Sequence, residues 1–176
     1  MQWAVDHVGF TVPDLDQAVD FFVSALGCEV VLRSGPDPNV GYIWPGESEA
    51  EAAVVRLAVL THASQHNIEL LEYKNTSATS VAPRPSQPGG CHLAFYVEDV
   101  QAAVDHLTQF DGVRMMGQVM TEESGPIEGL DWVYILTPWG MAIELLRWMP
   151  GLPYEATTEA RLVSPAFLAA TPALDG

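Results

Sequence analysis

From residue 5 the chain alternates. Val8, Phe10 and Val12 fall on one side, and His7, Gly9 and Thr11 on the other, which is the two-residue period of a strand. Pro13-Asp14 ends this run, and Asp14 is placed to cap a helix. Leu15, Ala18, Val19, Phe22 and Leu26 then recur at helical spacing, and Gly27 stands where a glycine closes a helix. Cys28 to Arg33 reads as a second strand, Ala53 to Thr61 as a third and Asn67 to Tyr73 as a fourth. Between the second and third, Ser34 to Ala52 carries glycine, proline and acidic residues, as a long connection or a hairpin with a long tip does.

The same order then returns. His92 to Val97 is a strand, and Asp99 to about Phe110 a helix with Val100, Ala103, Val104 and Leu107 inward. Val113 to Met120, Asp131 to Leu136 and Met141 to Arg147 read as three further strands, with Pro138-Trp139-Gly140 turning the chain before the last. The pattern predicts an α+β fold of two tandem βαβββ modules, residues 1–74 and 91–148. Residues 75–90, rich in Ser, Thr, Pro and Gly, make the linker between them. Residues 149–176 are rich in Pro and Ala and weakly patterned; they are expected to form an arm over the domain or a partner subunit, or to fray.

The repeat extends to residue identity. His7-Val8-Gly9-Phe10-Thr11-Val12-Pro13-Asp14 returns as His92-Leu93-Ala94-Phe95-Tyr96-Val97-Glu98-Asp99, a shift of 85 residues. Ile68-Glu69-Leu70-Leu71 returns as Ile143-Glu144-Leu145-Leu146. Each module therefore opens on a histidine and closes on a glutamate. A carboxylate on an apolar strand is costly unless something compensates it. One divalent ion compensates all four groups at once, so His7, Glu69, His92 and Glu144 are the candidate metal ligands. Other groups are weaker candidates. His62 and His66 lie in a polar turn, His106 on an exposed helix edge, and Glu122, Glu123 and Glu128 in a loop that is surface or the lid of a pocket. No phosphate-binding glycine loop, nucleophile elbow or Cys-x-x-Cys is present.

Charge narrows the field. The formal net charge is −16, with 7 Lys plus Arg against 23 Asp plus Glu. Such a surface repels nucleic acid and anionic membranes and leaves few cations for a phosphorylated substrate. Arg33, Arg56, Lys74, Arg84, Arg114, Arg147 and Arg161 do not cluster in the sequence. No apolar run of membrane-spanning length and no signal-peptide pattern is seen, so a cytoplasmic location is expected. Cys28 and Cys91 form no disulfide framework.

His7 and His92 with their following helices, Ile68-Glu69-Leu70, and Trp139-Gly140-Met141-Ala142-Ile143-Glu144-Leu145 resemble the vicinal oxygen chelate superfamily over roughly residues 3–148. That family includes glyoxalase I, methylmalonyl-CoA epimerase, extradiol dioxygenases, and fosfomycin-resistance and bleomycin-binding proteins. The resemblance implies paired βαβββ modules that curl as an open mixed sheet around a metal-centred cavity, with ligands on the first and last strands of each module. It implies one divalent ion per site: zinc first, with nickel, cobalt, manganese or iron as alternatives. It also implies a homodimer and a small-molecule substrate. Bleomycin-binding members generally lack the ligands kept here, and the epimerases of coenzyme A esters commonly carry Gln where this chain has Glu69. Glyoxalase I keeps His, Glu, His and Glu, but the short list of cations offers no clear grip for glutathione carboxylates. The chemistry implied is proton movement next to a carbonyl, through an enediolate stabilised by the ion. Glu144 and Glu69 are the candidate catalytic bases, each able to be ligand in one step and base in another. The first expectation is a metal-dependent isomerase or epimerase of a small hydroxy-ketone-like compound. A glyoxalase-type lyase acting on a thiol adduct comes second, and a metal-bridged drug-binding or resistance protein third. Thr11, Asn67, Leu71, Tyr73, Ala94, Tyr96 and Leu146 share the ligand faces and are the expected pocket lining.

Overall fold

The computed structural model describes residues 4–40, 53–63, 66–74 and 82–163. It divides into two compact units at residues 80 and 81. The first contains β1 (His7–Thr11), α1 (Leu15–Ser24), β2 (Glu29–Val40), β3 (Ala53–His62) and β4 (His66–Lys74). Its open sheet runs β1-β4-β3-β2, with β1 parallel to β4 and the other pairs antiparallel.

The helix forms where its apolar stripe predicts. Asp14 caps it by accepting from the Gln17 N–H at 2.9 Å, and Leu15, Ala18, Val19, Phe21 and Phe22 are buried. These side chains meet the face of β4 that carries Ile68 and Leu70, both buried. The alternation of β4 thereby leaves Glu69 and Leu71 on the face away from the helix. Strand β2 runs further than the sequence suggests. It continues through Gly35-Pro36 and Pro38 to Val40, which pairs with Ala53, so the connection is a hairpin whose tip, 41–52, lies outside the described residues. Register shifts along β2 absorb the irregular residues. The prolines are tolerated because β2 is an edge strand. Gly35 has φ +91, and a Cβ there would collide with the Val55 carbonyl oxygen.

The second unit repeats the plan with β5 (His92–Tyr96), α2 (Val100–Leu107), β6 (Arg114–Met115), β7 (Met120–Thr121), β8 (Asp131–Leu136) and β9 (Ala142–Arg147). The sheet runs β5-β9-β8-β6, and β7 also pairs with β8. Asp99 caps α2 as Asp14 caps α1, accepting from the Ala102 N–H at 2.9 Å. Val100, Val104 and Leu107 face Val133, Ile135, Ile143 and Leu145 in the core, while Ala103 is only half-buried. The single strand expected over Val113 to Met120 is two short ones instead. Gly117, at φ +104, interrupts the extended backbone between them. The arm is ordered as far as it is described. Leu152 is buried against Leu130 and Trp148, ringed by Tyr96, Trp132, Leu146 and Tyr154. The Tyr154 N–H donates to the Pro126 carbonyl at 2.9 Å. Residues 1–3, 64–65, 75–81 and 164–176, with much of the predicted linker and the end of the arm, lie outside the described residues. Among those described, no helix is long and apolar enough to cross a membrane.

Candidate functional site

Each module brings its histidine and glutamate together by the same register. In the first, β1 and β4 pair Gly9 with Glu69, which puts His7 one diagonal step from Glu69 on a shared face. His7 Nε2 lies 3.5 Å from Glu69 Oε2. In the second, β5 and β9 pair Ala94 with Glu144, and His92 Nε2 lies 3.0 Å from Glu144 Oε2. The residue opposite each carboxylate is small, and at Gly9 even a methyl carbon would sit 3.3 Å from Glu69 Oε2. Both carboxylates are half-buried, with side chains 22% and 16% exposed, while the imidazoles are more open at 43% and 40%.

The two pairs differ in what supports them. Asp6 Oδ1 lies 2.7 Å from His7 Nδ1, which fixes that nitrogen as the protonated one and leaves Nε2 toward Glu69. The Asp6 hydrogen bond, ahead of the Glu69 charge, raises the His7 pKa although desolvation opposes it. The position equivalent to Asp6 in the second module is Cys91, which is exposed. There the support falls on the acid. Tyr134 lies opposite Glu144 across β8 and β9. Burial first, and then the Glu144 charge, hold its phenol above its ordinary pKa. The Tyr134 ring also stands edge-on to His92 at 5.2 Å and to Trp132 at 5.6 Å. In the first module the residue opposite Glu69 is Val59, which has no donor.

Asp6, Tyr134 and Trp132 are site residues that the ligand pattern alone misses. The alternation of Trp132 and Tyr134 against buried Val133 and Ile135 in β8 is the signal that carries two of them. Among the expected lining residues, Asn67 is engaged through its Nδ2, which donates to the Asp6 carbonyl at 3.1 Å. Tyr96 donates its hydroxyl to the Trp148 carbonyl at 2.8 Å. Glu122 accepts from the Trp132 indole N–H at 2.8 Å, which ties its loop to the aromatic face. His62 and His66 pair at the ends of β3 and β4 instead of lying in the turn between them, and His106 is exposed on α2 beside Phe110. Three of the cations are not scattered as the sequence suggests. Arg33 and Arg56 converge on Asp16, and Arg56 and Lys74 on Glu72, on the opposite face of β4 from Glu69. A cavity of about 410 Å³ at the start of α2, lined by Glu98, Asp99, Val100, Gln101, Val119, Asp131 and Arg147, contains none of the four predicted ligands.

An imidazole nitrogen and a carboxylate oxygen are the donors that zinc and its neighbours accept, and each module holds one of each side by side. Among the described residues no three His, Cys, Asp or Glu side chains group closely enough to hold an ion. Each pair supplies two donors of the kinds that such an ion accepts.

Comparison with known proteins bears on the chemistry. The model of the Glyoxalase/Bleomycin resistance protein/Dioxygenase superfamily matches residues 6–127. A 2-epi-5-epi-valiolone epimerase of Actinomyces sp is 42% identical over 162 residues, covering 92% of this chain and 88% of that protein. A glyoxalase family protein from Bacillus cereus superposes with a TM-score of 0.63 at 25% identity, covering 84% of this chain and 95% of that one. A glyoxylase/bleomycin resistance protein/dioxygenase domain from Frankia sp. shares the fold at 18% identity, with a TM-score of 0.59 over 89% of this chain and 99% of that one.

Proposed function

The chain belongs to the Glyoxalase/Bleomycin resistance protein/Dioxygenase superfamily, and on that premise we propose that it is a metal-assisted epimerase of a valiolone-type hydroxy ketone. The observation that carries the reading is the His–carboxylate pair repeated at one strand register in both modules. The epimerase relative supports the choice of reaction over thiol-adduct chemistry.

The residues that would hold the ion are His7, Glu69, His92 and Glu144, with zinc as the first choice. When bound, it supplies positive charge beside the carbonyl oxygen that becomes anionic as the neighbouring carbon loses its proton. Only neutral imidazoles would serve as its ligands, and Asp6 keeps the His7 ring turned with Nε2 toward Glu69. A carboxylate takes the proton from the α-carbon; return of a proton to the opposite face gives the other epimer. The bond broken and the bond made are both C–H, so no redox partner is needed. Val59 and Leu71 beside Glu69, and the rings of Trp132 and Tyr134 beside Glu144, give each carboxylate apolar neighbours on its own sheet.

The test is to incubate the purified protein with 2-epi-5-epi-valiolone and follow the ratio of epimers by NMR. Interconversion that stops on treatment with a chelator and returns with zinc is expected. No interconversion, together with thiol-dependent turnover of methylglyoxal, would replace this reading with the lyase.

A further inference from the structure

In the second unit the arm returns to the face that carries the histidine and the glutamate. Alternation along β9 puts Leu146 on the same face as Glu144, and Tyr96 and Trp132 stand opposite Leu146 on the strands to either side. This row lies one same-face step beyond Glu144, about 7 Å along the strand. After Trp148 the chain turns at Gly151, where φ is +94, and lays Leu152 over that row. Leu152 is 4% exposed, seated with Leu130 and Trp148, and Tyr96, Leu146 and Trp132 pack against the three. The polar atoms around this seat are engaged within the unit. The Tyr96 hydroxyl donates to the Trp148 carbonyl at 2.8 Å, and the Trp132 indole N–H to Glu122 at 2.8 Å. The arm is also braced on itself. Glu155 accepts the Gly151 N–H at 2.9 Å and lies 3.6 Å from Arg161, and the Tyr154 hydroxyl accepts the Leu162 N–H at 2.9 Å. The equivalent row of the first unit is Thr11, Leu71 and Leu57, with no aromatic ring in it.

We propose that Leu152 is a specificity-determining residue: it is the end wall of the second module's functional face and limits a substrate held at His92 and Glu144 to a compact ring. The inference rests on the epimerase reading above and concerns the second unit by itself. A substituent pointing along β9 from Glu144 toward Leu146 would need volume that Leu152 and its seat already fill, and close-packed side chains yield little of it. A charged or hydroxyl substituent there would also lose water without gaining a partner, because the donors around the seat are engaged. Ring carbons, in contrast, meet aliphatic and aromatic surface. The wall therefore accepts the hydrocarbon edge of a small ring ketone and refuses a longer or charged extension in that direction. That the arm carries this wall also explains why its first half is so firmly tied down: a wall that discriminates by size must not give way.

The experiment compares Leu152→Ala, which shortens the wall, with Leu152→Met, which keeps its volume. The substrates are 2-epi-5-epi-valiolone and its mono-O-methyl ethers, with binding also followed by the change in tryptophan emission. With the parent ketone, Leu152→Ala is expected to raise KM about 10-fold at nearly unchanged kcat, and Leu152→Met to keep it near the value of the unsubstituted protein. At least one ether that the unsubstituted protein refuses should be bound and turned over by Leu152→Ala. Leu152→Val should fall between, and serves in its place if the alanine variant does not fold. Phe22→Ala, which weakens the core of the first unit, should leave KM and the discrimination against the ethers as they are. An unchanged KM and unchanged discrimination in the shortened variants, or an equal shift in Phe22→Ala, would overturn the proposal while leaving the epimerase reading intact. An unsubstituted protein that does not interconvert the epimers would overturn that reading, and this inference with it.

Discussion

Asp6 shows what a single side chain adds to a ligand. Its carboxylate on His7 Nδ1 stabilises the protonated imidazole, so the metal-free protein holds that proton to higher pH than an ordinary histidine. A metal must displace the proton, because only the neutral ring is a ligand. Zinc affinity is therefore expected to fall on acidification, beginning above the usual histidine range. Asp6→Asn should move that fall to lower pH and weaken binding at neutral pH, because the brace on the ring is lost. Zinc titrations of both proteins across the acid-to-neutral range check this; superimposable profiles would show that Asp6 is an ordinary surface acid. The pairing of each module's histidine with its glutamate was legible because both recur at equivalent places in the repeat. Asp6 was not, since its counterpart is Cys91 and no repeat marks it. Tyr134 was hidden for the same reason: the strands that hold it and Val59 differ in length and spacing between the modules.

At the scale of elements, the first helix is fastened to its sheet by two different means. Phe22 is fully buried among the apolar residues of α1. Phe22→Ala should lower unfolding free energy by about 3–5 kcal/mol, measured by denaturant titration. The second fastening is ionic. Glu72, 2% exposed, faces the helix side of β4 and takes Arg56 at 3.1 Å and Lys74 at 2.8 Å. Arg56 reaches on to Asp16 at 2.7 Å, in the first turn of α1. Removing one partner leaves a buried carboxylate short of charge. Arg56→Met should therefore cost about 2 kcal/mol, below the roughly 3–5 of a fully buried pair because Arg56 is partly exposed. The double change Arg56→Met, Glu72→Leu should recover most of that loss, since apolar packing replaces the pair. Recovery failing in the double variant would show that the ions do more than hold the helix. Hydrogen bonds from Arg56 first, and then Arg33, hold the Asp16 carboxyl below its usual pKa. Its share of stability is thus present above the ordinary carboxylate range and is lost as pH falls through the lowered value. Helices, caps and inner strands were legible from period alone. The ion cluster was not, because Arg33, Arg56 and Lys74 are far apart in sequence and meet only when β2, β3 and β4 are laid side by side. The extension of β2 to Val40 escaped the pattern too, because glycine and proline signal a loop and only the edge position makes them tolerable in a strand.

At the scale of the whole molecule, duplication is the fact that organises the rest. Each half carries two donors, and two donors do not complete a tetrahedral or octahedral site. The account therefore expects one ion for each pair of modules, which is one per 176-residue chain. Elemental analysis of protein purified without chelators should find close to one equivalent; two equivalents would mean that each pair binds separately. The most direct measurement follows the proton itself. The protein, zinc-loaded, is incubated in heavy water with 2-epi-5-epi-valiolone, and the recovered ketone is examined by NMR and mass spectrometry. The account predicts deuterium at the carbon next to the carbonyl in both epimers, with incorporation lost on removal of the metal. Substrate recovered unlabelled, from protein that holds its zinc, would contradict it.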